Sequence, residues 1–304
     1  MHARAVAATT TALLGATVLS PPSEVRAAGS HERPLIVAHR GASAYAPENT
    51  LPAVDKAAAL GFTWVENDVQ RTKDGVLVVL HDDSLRRTTN VQRVFPKRAP
   101  WKVKDFTAAE IARLDAGSWF SPVYAGTRVP TLDQYMRRVE RNHEKLLLEI
   151  KNPELYPGIE RQTLRLLRRE GWLDHRHLTS RLIVQSFSAG SVRAVHDLEP
   201  GVRTAFLGGP ATADLHRYAG FADLINPSYG TLSAEYVSAV HAFTGPHGKP
   251  MKVFAWTVDD ASRARTAAGY GVDGIISNKP DVVRAALPAA RTTAPIPATA
   301  FLVG

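Results

Sequence analysis

The chain of 304 residues contains no cysteine. That absence excludes disulfide stapling, a thiolate nucleophile and any Cys-held zinc or iron–sulfur centre, so a metal must be held by oxygen or imidazole ligands. Long apolar runs are scarce too. Residues 5–19 form an apolar run rich in Ala, Thr and Leu, too short for a stable span, and no other stretch approaches the roughly 18 apolar residues that a span requires. Neither sign of charge is extreme: 37 Lys+Arg stand against 29 Asp+Glu, a formal net charge of +8. Such a balance suits an anionic substrate, a polyanion or a membrane surface equally well. A hydrophobic fraction of 44% is ample for a packed core and excludes wholesale disorder.

The N-terminus has the layout of a secretory signal peptide. Arg4 precedes the apolar run, and a short polar stretch ends in Val25-Arg26-Ala27, so residues 1–27 are expected to be cleaved and the mature protein to be secreted. Loss of Arg4, Glu24 and Arg26 lowers the formal charge from +8 to +7. At the other end, residues 287–304 carry Pro288, Pro295 and Pro297 among Ala and Thr with no periodicity, and read as a mobile tail.

Between these ends, short apolar runs alternate with helical patterns. Strands are expected at 35–38, 63–69, 76–80, 146–150, 182–186, 203–207, 223–226, 252–257 and 274–277. Several are continuous rather than alternating, as parallel strands covered on both faces are. Helices are expected from Leu51 to the stop at Gly61, from Leu132 to Arg141, from Ile159 to the stop at Gly171, and from a cap at Asp259 or Asp260 to just before Gly271. The repeated strand–helix alternation predicts an α/β chain forming a (β/α)8 TIM barrel over residues 33–286, or failing that a doubly wound sheet. Nine strands are one more than a barrel needs. Thr72-Lys73-Asp74-Gly75 reads as a turn and leaves no room for a crossover helix, so its flanking strands form a hairpin or one continues the other. Residues 83–145 lack the alternation and read as a small insertion after the third strand.

The residue types with chemistry lie at strand ends. Strand 35–38 runs into His39-Arg40-Gly41, a proton-transfer group beside an anion clamp, with a glycine that permits a sharp turn or close approach to a ligand. On the next strand Glu66 and Asp68 share a face, because side chains alternate. Two carboxylates on an otherwise apolar strand repel each other and lose hydration unless a cation sits between them, which points to a hard divalent ion. Strand 76–80 delivers His81-Asp82, and strand 146–150 delivers Glu149 and Lys151 on one face. Each pair alone is an ordinary strand-end feature; four on four buried strands form a constellation.

His39-Arg40-Gly41, Pro47-Glu48-Asn49-Thr50, Glu66-x-Asp68-Val69, Thr72-Lys73-Asp74-Gly75, His81-Asp82 and Leu148-Glu149-Ile150-Lys151 resemble the glycerophosphodiester phosphodiesterases in order and spacing. Gln185-Ser186-Phe187, Trp256-Thr257-Val258 and the run from Gly271 to Ile276 resemble that family's later strands. The resemblance covers about residues 35–284. It implies a barrel with a small insertion after the His81 strand, metal ligands at Glu66, Asp68 and Glu149, and His39 and His81 as the acid–base pair. Arg40, Lys151 and Trp256 are the expected substrate contacts. One departure stands out. The last strand ends in Ser277-Asn278, where relatives more often carry Thr-Asp, which removes a charge expected at the site rim and bears on substrate preference.

The expected reaction is hydrolysis of a glycerophosphodiester to glycerol 3-phosphate and an alcohol, with His39 as base and His81 as acid. The cation, Arg40 and Lys151 would offset the phosphoryl charge. The cofactor expected is one divalent cation, calcium in preference to magnesium, because export exposes the protein to calcium. The partner is a small-molecule phosphodiester; no nucleic acid is expected, and a membrane only as a transient contact. Two alternatives remain: a phospholipase D-like activity on lysolipids, sphingomyelin or glycerol-phosphate polymers, and a non-catalytic polyanion-binding module. Trp101, Phe106, Trp119, Phe120 and Tyr124 in the insertion either form an apolar membrane patch or pack a small core of their own.

Overall fold

The computed structural model describes residues 33–288; residues 1–27, expected to be a signal peptide, and the part of the expected tail beyond Pro288 lie outside the described residues. Among the described residues the nine strands are β1 (Leu35–Ala38), β2 (Trp64–Arg71), β3 (Leu77–Val79), β4 (Lys145–Ile150), β5 (Leu182–Ser186), β6 (Arg203–Leu207), β7 (Leu224–Asn226), β8 (Lys252–Ala255) and β9 (Gly274–Ser277). All but β3 run parallel and follow one another round a ring. The ring closes where β1 pairs with β9 along its length and with β2 at Ala38↔Val65. This is the (β/α)8 TIM barrel.

The ninth strand belongs to a hairpin. β3 pairs antiparallel to β2, with Val69↔Val79 and Arg71↔Leu77, and stands outside the parallel ring. It follows that His81 does not sit at the C-terminal end of a ring strand. β2 overshoots the mouth of the barrel, turns at Thr72–Gly75, and β3 brings the chain back down to the mouth. The Leu80 N–H donates to the Asp68 carbonyl at 2.9 Å, which fixes the height at which His81 arrives.

Helices Leu51–Ala59, Leu132–Arg141, Ile159–Arg169, Ala189–Leu198, Ala234–His241, Ala261–Gly269 and Pro280–Ala286 cover the ring, while a 3-10 segment, Thr212–Arg217, bridges β6 to β7. Helix Leu132–Arg141 turns Leu132, Tyr135, Met136 and Val139 into the core, so it is a crossover helix of the ring. The inserted part is therefore narrower than the 83–145 read from the sequence. It has its own core, in which Phe106 is fully buried among Leu85, Val103, Ile111 and Leu114, with Trp101 packed against it. Trp119 remains 40% exposed and Val123 81% exposed. At the other boundary Leu287, expected to begin the tail, is buried against the barrel.

The interior of the ring explains where the chemistry sits. One apolar side chain from each parallel strand fills a layer: Val37, Trp64, Leu147 and Ile183 on one half, Ala205, Leu224, Phe254 and Ile276 on the other. Strand alternation makes the next inward position two residues further on. Those positions are His39, Glu66, Glu149 and Gln185 on the first half, and Leu207, Asn226, Trp256 and Asn278 on the second. The barrel is thus apolar one layer down and largely polar at its mouth.

Candidate active site

Glu66, Asp68 and Glu149 each offer a carboxylate oxygen within 4.8 Å of the others, and all three residues are buried. At that separation a pair of like charges repels by about 3 kcal/mol for an effective dielectric constant of about 20. Burial and the neighbouring Asp68 and Glu149 charges accordingly push the Glu66 carboxyl well above the usual range. Burial and Asp68 likewise raise Glu149, to about 8. Asp68 goes the other way, to about 2: burial alone would raise it, but Arg40, Lys151, His81 and the Asn49 amide hold it ionised. Two oxygens of the cluster, Glu66 Oε1 and Asp68 Oδ1, are buried without a hydrogen-bond partner. Buried, unpartnered carboxylate oxygens in so tight a cluster are what a hard divalent cation requires, so the donor set fits such an ion.

The cationic side chains stand around this cluster. Lys151 Nζ lies 2.7 Å from Glu149 Oε1 and 3.5 Å from Asp68 Oδ1. Arg40 Nε lies 3.5 Å from Asp68 Oδ2, and Arg40 Nη1 donates to Glu48 Oε1 at 2.9 Å. The Arg40 backbone is left-handed, with φ of 55°, a conformation that costs roughly 1–2 kcal/mol outside glycine. It aims the Arg40 N–H at Glu66 Oε2, 2.9 Å away. Gly41 follows with φ of 78°, and a Cβ there would fall 2.6 Å from the Ala53 carbonyl carbon. Its role is therefore a tight turn against helix Leu51–Ala59, not an approach to a ligand.

The two imidazoles have different surroundings. His39 Nδ1 lies 2.7 Å from Asn278 Oδ1, and its Nε2 is 3.9 Å from Glu66 Oε2. Burial, aided by the Arg40 charge, lowers its pKa to about 4, so the ring is neutral near pH 7. His81 Nδ1 is 2.8 Å from Asp82 Oδ1. Asp82 in turn accepts two bonds from Arg87, at 2.7 and 2.9 Å, and Arg87 makes two more to Glu48, at 2.7 and 2.8 Å. Glu48 thereby joins Arg40 to the His81 side of the site. The hydrogen bonds from His81 and Arg87 hold the Asp82 carboxyl far below the usual range.

A cavity of about 70 Å³ at the mouth is lined by His39, Arg40, Glu66, His81, Glu149, Lys151 and Trp256, so all but one of the residues expected to react, to hold the metal or to contact substrate meet in one place. Asp68 is the exception; it reaches the group from behind, through Glu149, Arg40 and Lys151. Phe187 packs edge-on to Trp256 with ring centroids 5.5 Å apart, forming an aromatic wall. Asn278 does not line the cavity; it bonds His39 from the far side of the imidazole ring. Sequence reasoning passed over Asn49, whose amide donates to Asp68 Oδ2 at 2.7 Å, and Arg87. Asn49 lay within a quoted motif, whereas Arg87, in the insertion, carried no signal.

The sequence model described as "Glycerophosphoryl diester phosphodiesterase family" matches residues 39–282. The chain belongs to this family. It is 35% identical over 267 residues to the glycerophosphodiester phosphodiesterase of Bacillus subtilis strain 168, covering 83% of this chain and 86% of the relative. Identity is 34% over 252 residues to the enzyme of the same name from Caldanaerobacter subterraneus subsp. tengcongensis, covering 82% and 96%. Among solved structures, an Oleispira antarctica phosphodiesterase in complex with the product sn-glycerol-3-phosphate superposes with a TM-score of 0.73 at 27% identity, covering 83% of this chain and 96% of that one. Glycerophosphodiester phosphodiesterases thus share the whole barrel with this chain, well beyond the short motifs around the site.

Proposed function

We propose that the protein is a secreted, calcium-dependent hydrolase that splits glycerophosphodiesters into glycerol 3-phosphate and an alcohol. The observation that carries this reading is the convergence of a carboxylate triad, two cationic side chains and two imidazoles on one cavity. Membership of the family supports the reaction class, and the product bound in the Oleispira antarctica relative supports a small glycerophosphate ligand. Secretion rests on the signal-peptide pattern of residues 1–27.

Glu66, Asp68 and Glu149 would hold the cation, which when bound supplies positive charge against the phosphoryl oxygens and raises the electrophilicity of phosphorus. The remaining steps belong to the chain. Arg40 and Lys151 border the same cavity and offset the negative charge that otherwise repels an incoming oxygen. Neutral His39 takes the proton from the attacking oxygen as the new P–O bond forms. His81, steadied by Asp82, gives a proton to the departing alkoxide as the old P–O bond breaks. Net consumption is one water; the products are a phosphomonoester and an alcohol. Trp256 and Phe187 give the glycerol carbons an apolar wall and leave the opposite side to the head group.

The test is product release from glycerophosphocholine, glycerophosphoethanolamine, lysophosphatidylcholine and a glycerol-phosphate polymer, each with and without a chelator. Chelator-sensitive release from the two small diesters is expected. Release from lysophosphatidylcholine or the polymer alone would move the substrate to the lysolipid or polymer class, and no release from any would leave a binding module.

A further inference from the structure

On the side of His39 away from the cavity, a short chain of hydrogen bonds is left unexplained by metal or phosphate binding. His39 Nδ1 faces Asn278 Oδ1 at 2.7 Å, and Ser43 Oγ donates to the same oxygen at 2.7 Å. Asn278 Nδ2 donates to Asp259 Oδ2 at 2.6 Å. Asp259 Oδ1 accepts the Asn278 backbone N–H at 2.7 Å and the Ser277 hydroxyl at 3.0 Å. The neighbouring Asp260 caps helix Ala261–Gly269 by accepting the Arg263 N–H at 2.9 Å, which leaves Asp259 to this network.

The two ends of an amide have nearly the same shape, so its orientation follows from its partners. A carboxylate only accepts, so the amide NH2 must face Asp259. The carbonyl end then faces His39, and since a carbonyl oxygen also only accepts, His39 Nδ1 must carry the proton. A neutral imidazole has a single N–H. Nε2 is therefore bare, and it is the nitrogen on the cavity side, 3.9 Å from Glu66 Oε2. Which nitrogen of a histidine is protonated is set by the bond that the other makes.

We infer that Asp259 and Asn278 are positioning residues for the reaction: Asp259 fixes the amide, the amide fixes the ring, and His39 is kept in the one tautomer that can accept a proton at Nε2. Neither residue touches the cavity. With an amide at position 278, the carboxylate of this network is Asp259, one contact further back. The two imidazoles thereby differ in kind. An amide carbonyl behind His39 suits a neutral ring that takes a proton, and the Asp82 carboxylate behind His81 suits a charged ring that gives one. The inference rests on the acid–base reading of His39 given above.

The test uses the full chain labelled with 15N, with the His39 ring signals identified by their loss in His39→Gln. Ring 15N shifts show which nitrogen is protonated. Nδ1–H is expected in the wild type and its loss in Asn278→Ala. In steady-state assays Asn278→Ala and Asp259→Asn should each lower kcat by about 10²-fold with KM changed less than about two-fold, the pattern of an imidazole in the wrong tautomer. The exchanged pair Asp259→Asn/Asn278→Asp should restore both the Nδ1–H signal and most of kcat, since a carboxylate at position 278 accepts both from His39 and from the amide introduced at position 259. If Asn278→Ala is unfolded at the assay temperature, Asp259→Asn carries the test, because it leaves every contact of His39 in place and frees only the amide to turn over. An unchanged His39 tautomer in the single variants, wild-type kcat in them, or an exchanged pair no better than they are would overturn the inference. Failure of the acid–base reading itself looks different: His39→Gln would keep turnover while the ring shifts still followed Asn278.

Discussion

Asp68 and Glu149 are register partners across β2 and β4, two carboxylates side by side on the inner face of the ring, with the Lys151 ammonium 2.7 Å from Glu149 and 3.5 Å from Asp68. Like charges directly opposite each other destabilise a sheet, and Lys151 and Arg40 bring two positive charges to the three acids that meet there. The arrangement makes sense as a binding site that is costly when empty.

The first prediction follows from that cost. Calcium should bind with 1:1 stoichiometry in isothermal titration and raise the melting temperature, because a ligand specific for the folded state stabilises it by mass action. Glu66→Gln should abolish both effects and turnover together while melting no lower than the metal-free wild type, since a neutral amide replaces a carboxyl that burial and its neighbours already push toward the neutral form. Calcium-independent turnover after exhaustive chelation would count against the triad as a metal site.

A second prediction separates the imidazoles. His39→Ala and His81→Ala should each lower kcat on glycerophosphocholine by about 10²-fold or more. A nitrophenyl ester, whose leaving group needs little protonation, should rescue His81→Ala and leave His39→Ala impaired. Asp82→Asn should behave as a weaker His81→Ala, losing activity on the choline ester and little on the nitrophenyl one. Rescue of the His39 variant instead would exchange the two roles.

Much of this site was legible because the barrel converts sequence spacing directly into position. The ranges of β1, β5, β6 and β9 coincide with those expected from the sequence, and the polar residue two places beyond an inward apolar one mostly lands at the mouth. Position along one strand says nothing of contacts made across the ring, however. Asn278 and Asp259 meet His39 and each other only after β1 and β9 pair. Arg87 reaches Asp82 and Glu48 from an insertion without strand periodicity. The direction of β3 was equally hidden, because a three-residue apolar strand reads alike whether it runs up or down.

A third prediction concerns the end of the barrel remote from the site. Glu144, just before β4, is buried, and burial pushes its carboxyl up to about 8, partly opposed by the Asn142 amide. Its folded-state pKa lies above the unfolded value of about 4.5, so the folded chain holds an extra proton between those limits, and the stability this contributes at low pH is lost as pH rises toward 8. Glu144→Gln, a fixed neutral mimic, should melt higher than the wild type at pH 8, with the gap narrowing toward pH 5. A gap independent of pH would show that Glu144 is not the titrating group.

Gly41 supplies the fourth. Alanine there must adopt a left-handed φ and place its Cβ against the Ala53 backbone, a contact that neither partner can relieve by rotating a side chain. A loss of about 2 kcal/mol is expected, read as a lower urea midpoint at unchanged slope. An unshifted midpoint would mean that the loop between β1 and its helix can move apart.

The returning hairpin has a consequence for how the enzyme can diversify. Gln70, on β2, donates to the carbonyls of Leu80 and His81 at 2.9 and 3.1 Å, and its own carbonyl is held by the Tyr156 hydroxyl at 2.8 Å. One ring residue thus pins the start of an appendage that has a separate core and carries both His81 and Arg87. On the proposed mechanism the phosphate-handling groups stand on the ring strands and their ends, while the acid rides on an inserted piece tied to the ring by Gln70, by the β2–β3 ladder and by Arg87 to Glu48. Loops of that piece which make none of these ties can be lengthened, shortened or exchanged to suit a new alcohol without disturbing a strand of the ring.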